Sequence, residues 1–145
     1  MDVKNKRVVV TGAASGIGKA LCEAFHQAGA QSIVAVDMNI EGAQETADSV
    51  NGIAIQANVG KEEDIINVIE KANEHAGGID IFCSNAGIGG VPGFFEVSAA
   101  DWQNIWDVNV QGHIFAAKHV LPQMIERGEG YLVNTSSAAG LLTQL

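Results

Sequence analysis

Thr11-Gly12-Ala13-Ala14-Ser15-Gly16-Ile17-Gly18 follows directly on the apolar run Val8-Val9-Val10 and opens a stretch of helical period. Glycine serves three needs in such a place: it allows a tight turn, lets backbone approach an anionic group closely, and lets helix and strand pack closely. The helix beginning there adds unpaired N–H groups and the positive end of its dipole, a ready site for a phosphate. The spacing is GxxxGxG rather than the GxGxxG of the commonest dinucleotide-binding turn. Beyond it, Ile17, Ala20, Leu21, Ala24, Phe25 and Ala28 recur at helical spacing and predict one apolar stripe, ended by Gly29.

The same alternation continues along the chain. Apolar runs at Ile33-Val36, Ile53-Ile55, Ile79-Cys83 and Tyr131-Val133 are separated by helical stretches over Glu41-Val50, Lys61-His75 and a longer one after Ser98. Near-continuous apolar strands joined by crossover helices predict a doubly wound parallel sheet covered on both faces. The expectation is an α/β Rossmann-type fold with five strands in the order 3-2-1-4-5. Ser98-Ala99-Ala100-Asp101 has the form of a capping box. It predicts a helix running past Trp102, Trp106 and Phe115 toward Leu121, with Pro122 kinking or ending it.

Asp37 closes the second run, nineteen residues beyond Gly18. That is close to the separation of about 20 residues expected for an acid that binds the adenosine ribose hydroxyls. A carboxylate there accepts from a ribose diol and repels a 2′-phosphate, and neither Ser15 nor Met38 brings a cation to offset it. The reading favours NAD over NADP.

Composition narrows the remaining classes. The chain has 145 residues, 47% of them hydrophobic, which suits one folded domain over 1–145 and excludes disorder. Eight Lys+Arg against 17 Asp+Glu give a net charge of −9, so nucleic acid and anionic membrane surfaces are poor partners. No run approaches a membrane span of roughly 18 apolar residues or a signal segment, and a cytoplasmic location is expected. Cys22 and Cys83 each lie in apolar stretches, as small core residues do, and His26, His75, His113 and His119 form no metal-ligand spacing.

Four motifs in order, Thr11-Gly12-x-x-x-Gly16-Ile17-Gly18, Asn85-Ala86-Gly87, Asn109 within Val108-Asn109-Val110-Gln111-Gly112, and Asn134-Thr135-Ser136-Ser137-Ala138-Ala139-Gly140, resemble the short-chain dehydrogenase/reductase family over essentially the whole chain. The resemblance implies an NAD-dependent oxidoreductase moving a hydride between nicotinamide and a secondary alcohol or ketone, and a homo-oligomer. It implies that Gly12, Ser15, Gly16, Ile17 and Gly18 lie along the phosphates, Asp37 on the ribose, and Asn58-Val59 beside the adenine. Asn85, Ala86 and Gly87 would support the sheet along the cofactor. Asn109 would open its helix and hold a relay water, and Ser137, or its neighbour Ser136, would bond the substrate oxygen. Residues 87–95 would border the substrate.

Two departures stand out. Where the family often has Asp-Val near the adenine amino group, this chain has Asn58-Val59, whose amide oxygen accepts more weakly. The family's general-base tyrosine lies about thirteen residues past the serine, with a lysine four later; from Ser137 both fall beyond Leu145. The single tyrosine, Tyr131, precedes Ser137. The sequence therefore reads as the cofactor-binding part of such a domain, its later strands lying outside these residues. In this form it is expected to be inactive, with an apolar face bared near Trp102, Trp106 and Phe115 that lowers stability. A dinucleotide-binding protein without turnover is the alternative from another class. A Rossmann-like methyltransferase is a weaker one that leaves Ser137 and Asn109 without a role.

Overall fold

The computed structural model describes residues 2–89 and 95–140. Five strands, β1 (Arg7–Thr11), β2 (Ser32–Asp37), β3 (Ile53–Gln56), β4 (Ile81–Ser84) and β5 (Tyr131–Asn134), form one parallel sheet in the order β3-β2-β1-β4-β5. The helices are α1 (Gly16–Gln27), α2 (Ile40–Ser49), α3 (Glu62–Ala76), α4 (Ala99–Trp106) and α5 (Gly112–Arg127). This is the Rossmann-type α/β sheet that the alternation predicts.

The period of two along each strand divides the core between the faces. Val8, Val10, Ile33, Ala35, Ile81 and Cys83 point to one face and pack with Cys22, Ala47 and Val50 from the α1 and α2 region. Val9, Val34, Val36, Ile55 and Phe82 point to the other and meet Ile65, Val68, Ile69, Val120 and Met124 of α3 and α5. Both cysteines are buried, and burial pushes each thiol up to about 12, which keeps them as unreactive packing groups.

Three local expectations are corrected. On α1 the inward line is Gly18 and Cys22, both buried, with Leu21 and Phe25 partly buried beside them, while Ile17, Ala20, Ala24 and Ala28 are exposed. The close approach of this helix to the sheet selects small residues, so its inward face is turned away from the stripe that aliphatic content alone marks. β4 begins at Ile81, not Ile79, although the Asp80 main chain ahead of it already bonds Arg7 and Tyr131 on the neighbouring strands. Pro122 does not end its helix: α5 runs through it to Arg127. Pro122 lies on the exposed side, where a carbonyl left without a helical donor reaches water, while buried Val120 and Met124 hold the opposite side on the core.

The box at Ser98 forms as expected. Ser98 Oγ accepts from the Asp101 N–H at 3.1 Å, and Asp101 Oδ2 accepts from the Ser98 N–H at 3.0 Å. The helix it opens is not continuous, for between α4 and α5 the backbone widens into a π-helical stretch at Asp107–Gln111. Trp102 and Trp106 are each half exposed, whereas Phe115 packs against the core.

Candidate functional site

A parallel sheet with a switch between β1 and β4 opens a crevice beyond the strand carboxyl ends, where ligands of such folds bind. The glycine turn forms one wall. Ser15 precedes α1 with extended backbone and makes no side-chain cap, and the first helical turn carries no acid, so among the described residues no carboxylate caps the N–H groups there. The turn is held from behind by Thr46, fully buried on α2, which donates to Ala13 O at 2.8 Å.

Asp37 ends β2 beside this turn. Its Oδ2 accepts from the Ala14 N–H at 3.0 Å and its Oδ1 from the Asn39 N–H at 2.9 Å. A small pocket of about 130 Å³ lies past it, lined by Gly12, Asp37, Met38, Ala57, Asn58, Val59, Ala86, Gly87, Ile88 and Val108. Asn58 spends its Oδ1 on the Gly60 N–H at 3.0 Å, and its own N–H donates to Asp64 at 2.8 Å.

The second half of the crevice is larger. A cleft of about 760 Å³ brings together Ile17, Asn85, Ala86, Gly87, Ile88, Asn109, His113, Asn134, Thr135, Ser136 and Ser137. Asn109 lies within the π-helical stretch, and its carboxamide is fixed at both ends by one residue. Oδ1 accepts from the Ile88 N–H and Nδ2 donates to Ile88 O, each at 2.8 Å. Asn85 links three strand ends: its N–H reaches Thr11 Oγ1 at 3.0 Å, its Nδ2 donates to Thr11 O at 3.1 Å, and its Oδ1 accepts from Thr135 Oγ1 at 3.0 Å. Of the expected loop over 87–95, positions 90–94 lie outside the described residues.

Two residues escaped the sequence reading as functional positions. Thr11 is buried, donates to Cys83 O at 3.3 Å, and accepts from the N–H groups of Asn85 and Ala86, both at 3.0 Å. A hydroxyl closing an apolar strand has to find such partners, which was the available signal. Thr11→Val is expected to strand both N–H groups and lower stability by about 1–3 kcal/mol, read from chemical denaturation. His113 stands four residues after Asn109, on the same helical side, and its Nδ1 meets Asn134 Oδ1 at 3.2 Å inside the cleft. Among the described residues no cluster of His, Cys, Asp or Glu could hold a metal ion, and no helix is long and apolar enough to cross a membrane.

Comparison with known proteins agrees with this geometry. The family model for short chain dehydrogenases matches residues 6–144. Glucose 1-dehydrogenase 2 of Bacillus subtilis (strain 168) is 36% identical over 143 residues, covering 94% of this chain and 55% of that protein. Cyclohexanol dehydrogenase of Acinetobacter sp. (strain SE19) is 35% identical over 144 residues, covering 95% and 57%. Among solved structures, a short chain dehydrogenase/reductase of Burkholderia phymatum in complex with NAD superposes with a TM-score of 0.94 at 29% identity, over 99% of this chain and 53% of that one. One from Mycobacterium marinum gives 0.92 at 28% identity, over 99% and 60%. The chain thus spans about half the length of the curated relatives it matches. With the ordered motifs, the strand order and the family model in agreement over nearly all of its length, the chain belongs to the short chain dehydrogenase family.

Proposed function

We propose that this chain is the NAD-binding part of an oxidoreductase that interconverts a secondary alcohol and a ketone. The observation that carries the reading is the pairing of an anion-ready α1 N-terminus with the Asp37 carboxylate across one turn. The residues fit such a cofactor. A Cβ at Gly16 would project into space empty to 4 Å, so the backbone is bare where a pyrophosphate would lie, and Asp37 stands within reach of a ribose diol. When bound, the nicotinamide supplies the hydride acceptor or donor.

The remaining tasks fall to the chain. Gly12, Ser15, Gly16, Ile17 and Gly18 take the phosphates, Asp37 the ribose, and Asn58 and Val59 the base. Asn85, Ala86 and Gly87 form the floor between the two halves, held by Thr11. Ser137, with Ser136 beside it, donates a neutral hydrogen bond to a substrate oxygen without becoming charged. Asn109, whose carboxamide Ile88 orients through one hydrogen bond at each end, opens its helix and holds a relay water with the Nδ2 hydrogen and oxygen lone pair that remain. A second reading, carried by the same turn and Asp37, is that this chain binds a dinucleotide without turnover.

Calorimetric titration tests both. NAD is expected to bind at least about tenfold more tightly than NADP, and Asp37→Ser to remove most of that preference, because a 2′-phosphate then no longer faces a carboxylate. Equal or tighter binding of NADP by the unaltered chain would overturn the cofactor assignment. Oxidation of a secondary alcohol by the complete protein, lost in Ser137→Ala, would decide for the enzyme over the non-catalytic reading.

A further inference from the structure

The pocket beyond Asp37 is smaller than a site for a whole dinucleotide and suits one planar base. Its lining is apolar except for Asp37, which is bonded to the Ala14 and Asn39 N–H groups, and Asn58. The orientation of the Asn58 amide follows from its partner: the Gly60 N–H is a donor, so the atom facing it at 3.0 Å is Oδ1. That contact closes an Asx turn and fixes the side chain, leaving Oδ1 one lone pair and, among the described residues, no hydrogen bond on the Nδ2 amino group. Asp64, which accepts from the Asn58 N–H at 2.8 Å, already places one carboxylate next to this turn. A second carboxylate at position 58 would meet like charge, whereas an amide does not.

We propose that Asn58 presents a hydrogen-bond donor to the base and so makes the pocket tolerant of a 6-oxopurine, such as hypoxanthine, in place of adenine. This rests on the dinucleotide reading above and concerns only how the base is chosen. Adenine offers its ring nitrogens as acceptors and its 6-amino group as a donor. A 6-oxopurine replaces that amino group with a carbonyl acceptor and carries a proton on the adjacent N1. The Nδ2 amino group donates to a ring nitrogen of the first and to the carbonyl of the second, so each base finds a partner. An acceptor-only carboxylate would pair with the amino group of adenine, whereas on a 6-oxopurine it could take only the N1–H, with its charge set against the neighbouring carbonyl. The residue therefore relaxes a choice that Asp would enforce.

The test is a calorimetric comparison of NAD with nicotinamide hypoxanthine dinucleotide on the unaltered chain and on Asn58→Asp. Asp can still accept from the Gly60 N–H, so the turn survives, and a thermal melt of each protein checks this. The unaltered chain is expected to bind the two dinucleotides within about threefold of one another, and Asn58→Asp to widen the gap to about tenfold or more in favour of adenine. If the unaltered chain binds NAD but already discriminates as strongly as Asn58→Asp, the base proposal falls and the dinucleotide reading stands. If it binds neither dinucleotide, both fall. Should Asn58→Asp fail to fold, Asn58→Ser, which retains a hydroxyl donor, is expected to keep the unaltered chain's ratio, and a gap of tenfold there overturns the proposal.

Discussion

Gly18→Ala is expected to destabilise the fold by about 3 kcal/mol or more and to lower dinucleotide affinity at least a hundredfold. A Cβ at position 18 would sit 2.0 Å from Gly12 O, 2.6 Å from Gly12 C and 2.9 Å from Asn85 Nδ2. Two of these are backbone atoms, so no rotamer change relieves the clash. Gly12 cannot retreat freely either, since it holds φ at +70° with Ala86 behind it. The helix must back away from the sheet, and the N–H groups at its start move with it. Gly16→Ala supplies the control. It meets nothing within 4 Å, although its φ of +54° costs an L residue about 1–2 kcal/mol. Gly16→Ala is therefore expected to fold with a modest loss and to bind NAD poorly, because its methyl group occupies the space proposed for phosphate. Urea denaturation and calorimetry on both variants separate the effects. Unaltered midpoint and affinity in Gly18→Ala would refute the close-approach argument.

The contrast between those glycines shows what kind of information the sequence carries. Strands were legible because a parallel sheet covered on both faces leaves a run such as Val8-Val9-Val10 no polar position, and these runs are too short and too β-branched for buried helices. The turn was legible because its residue types meet a stereochemical demand. The inward side of α1 was not, because Gly18 and Cys22 are chosen for smallness while hydropathy rewards Ile17, which instead lines the cleft. The π-helical widening at Asp107–Gln111 leaves no mark in hydrophobic period, and only the family resemblance pointed to Asn109 as a place where the helix opens. Thr11 and Asn58 illustrate a further limit. A sequence names a hydroxyl or an amide, but which of its atoms is already spent depends on backbone groups that only the fold brings near, here those of Asn85, Ala86 and Gly60.

Asp80→Asn is expected to cost about 2–3 kcal/mol and to lower the melting temperature by about 5–10 °C, through residues that lie away from the cleft. Asp80 sits just before β4, largely buried, at the end of the sheet opposite the crevice. Its Oδ2 accepts from Arg7 Nε at 2.8 Å and from the Arg7 N–H at 2.9 Å, its Oδ1 meets Arg7 Nη2 at 2.5 Å, and Arg127 Nη2 stands 3.6 Å from Oδ1. The Asp80 main chain continues the link, accepting from the Tyr131 N–H at 2.8 Å and donating to Arg7 O at 2.9 Å. One carboxylate therefore ties together the starts of β1, β4 and β5. An amide keeps the shape but answers the two guanidinium groups with no charge, and offers Arg7 an NH₂ group where an oxygen had accepted. The Arg7 hydrogen bonds hold the Asp80 carboxyl below the usual carboxylate range. A depressed folded-state value means that the stabilisation is fully present above the unfolded value of about 3.9 and is lost as pH falls through the lower, folded one. The unaltered chain should then lose stability below about pH 4 more steeply than Asp80→Asn, whose profile lacks this contribution. Denaturation midpoints measured from pH 7 downward decide the matter. Two parallel profiles would show that Asp80 acts through shape alone, and converging profiles that its charge holds the three strands.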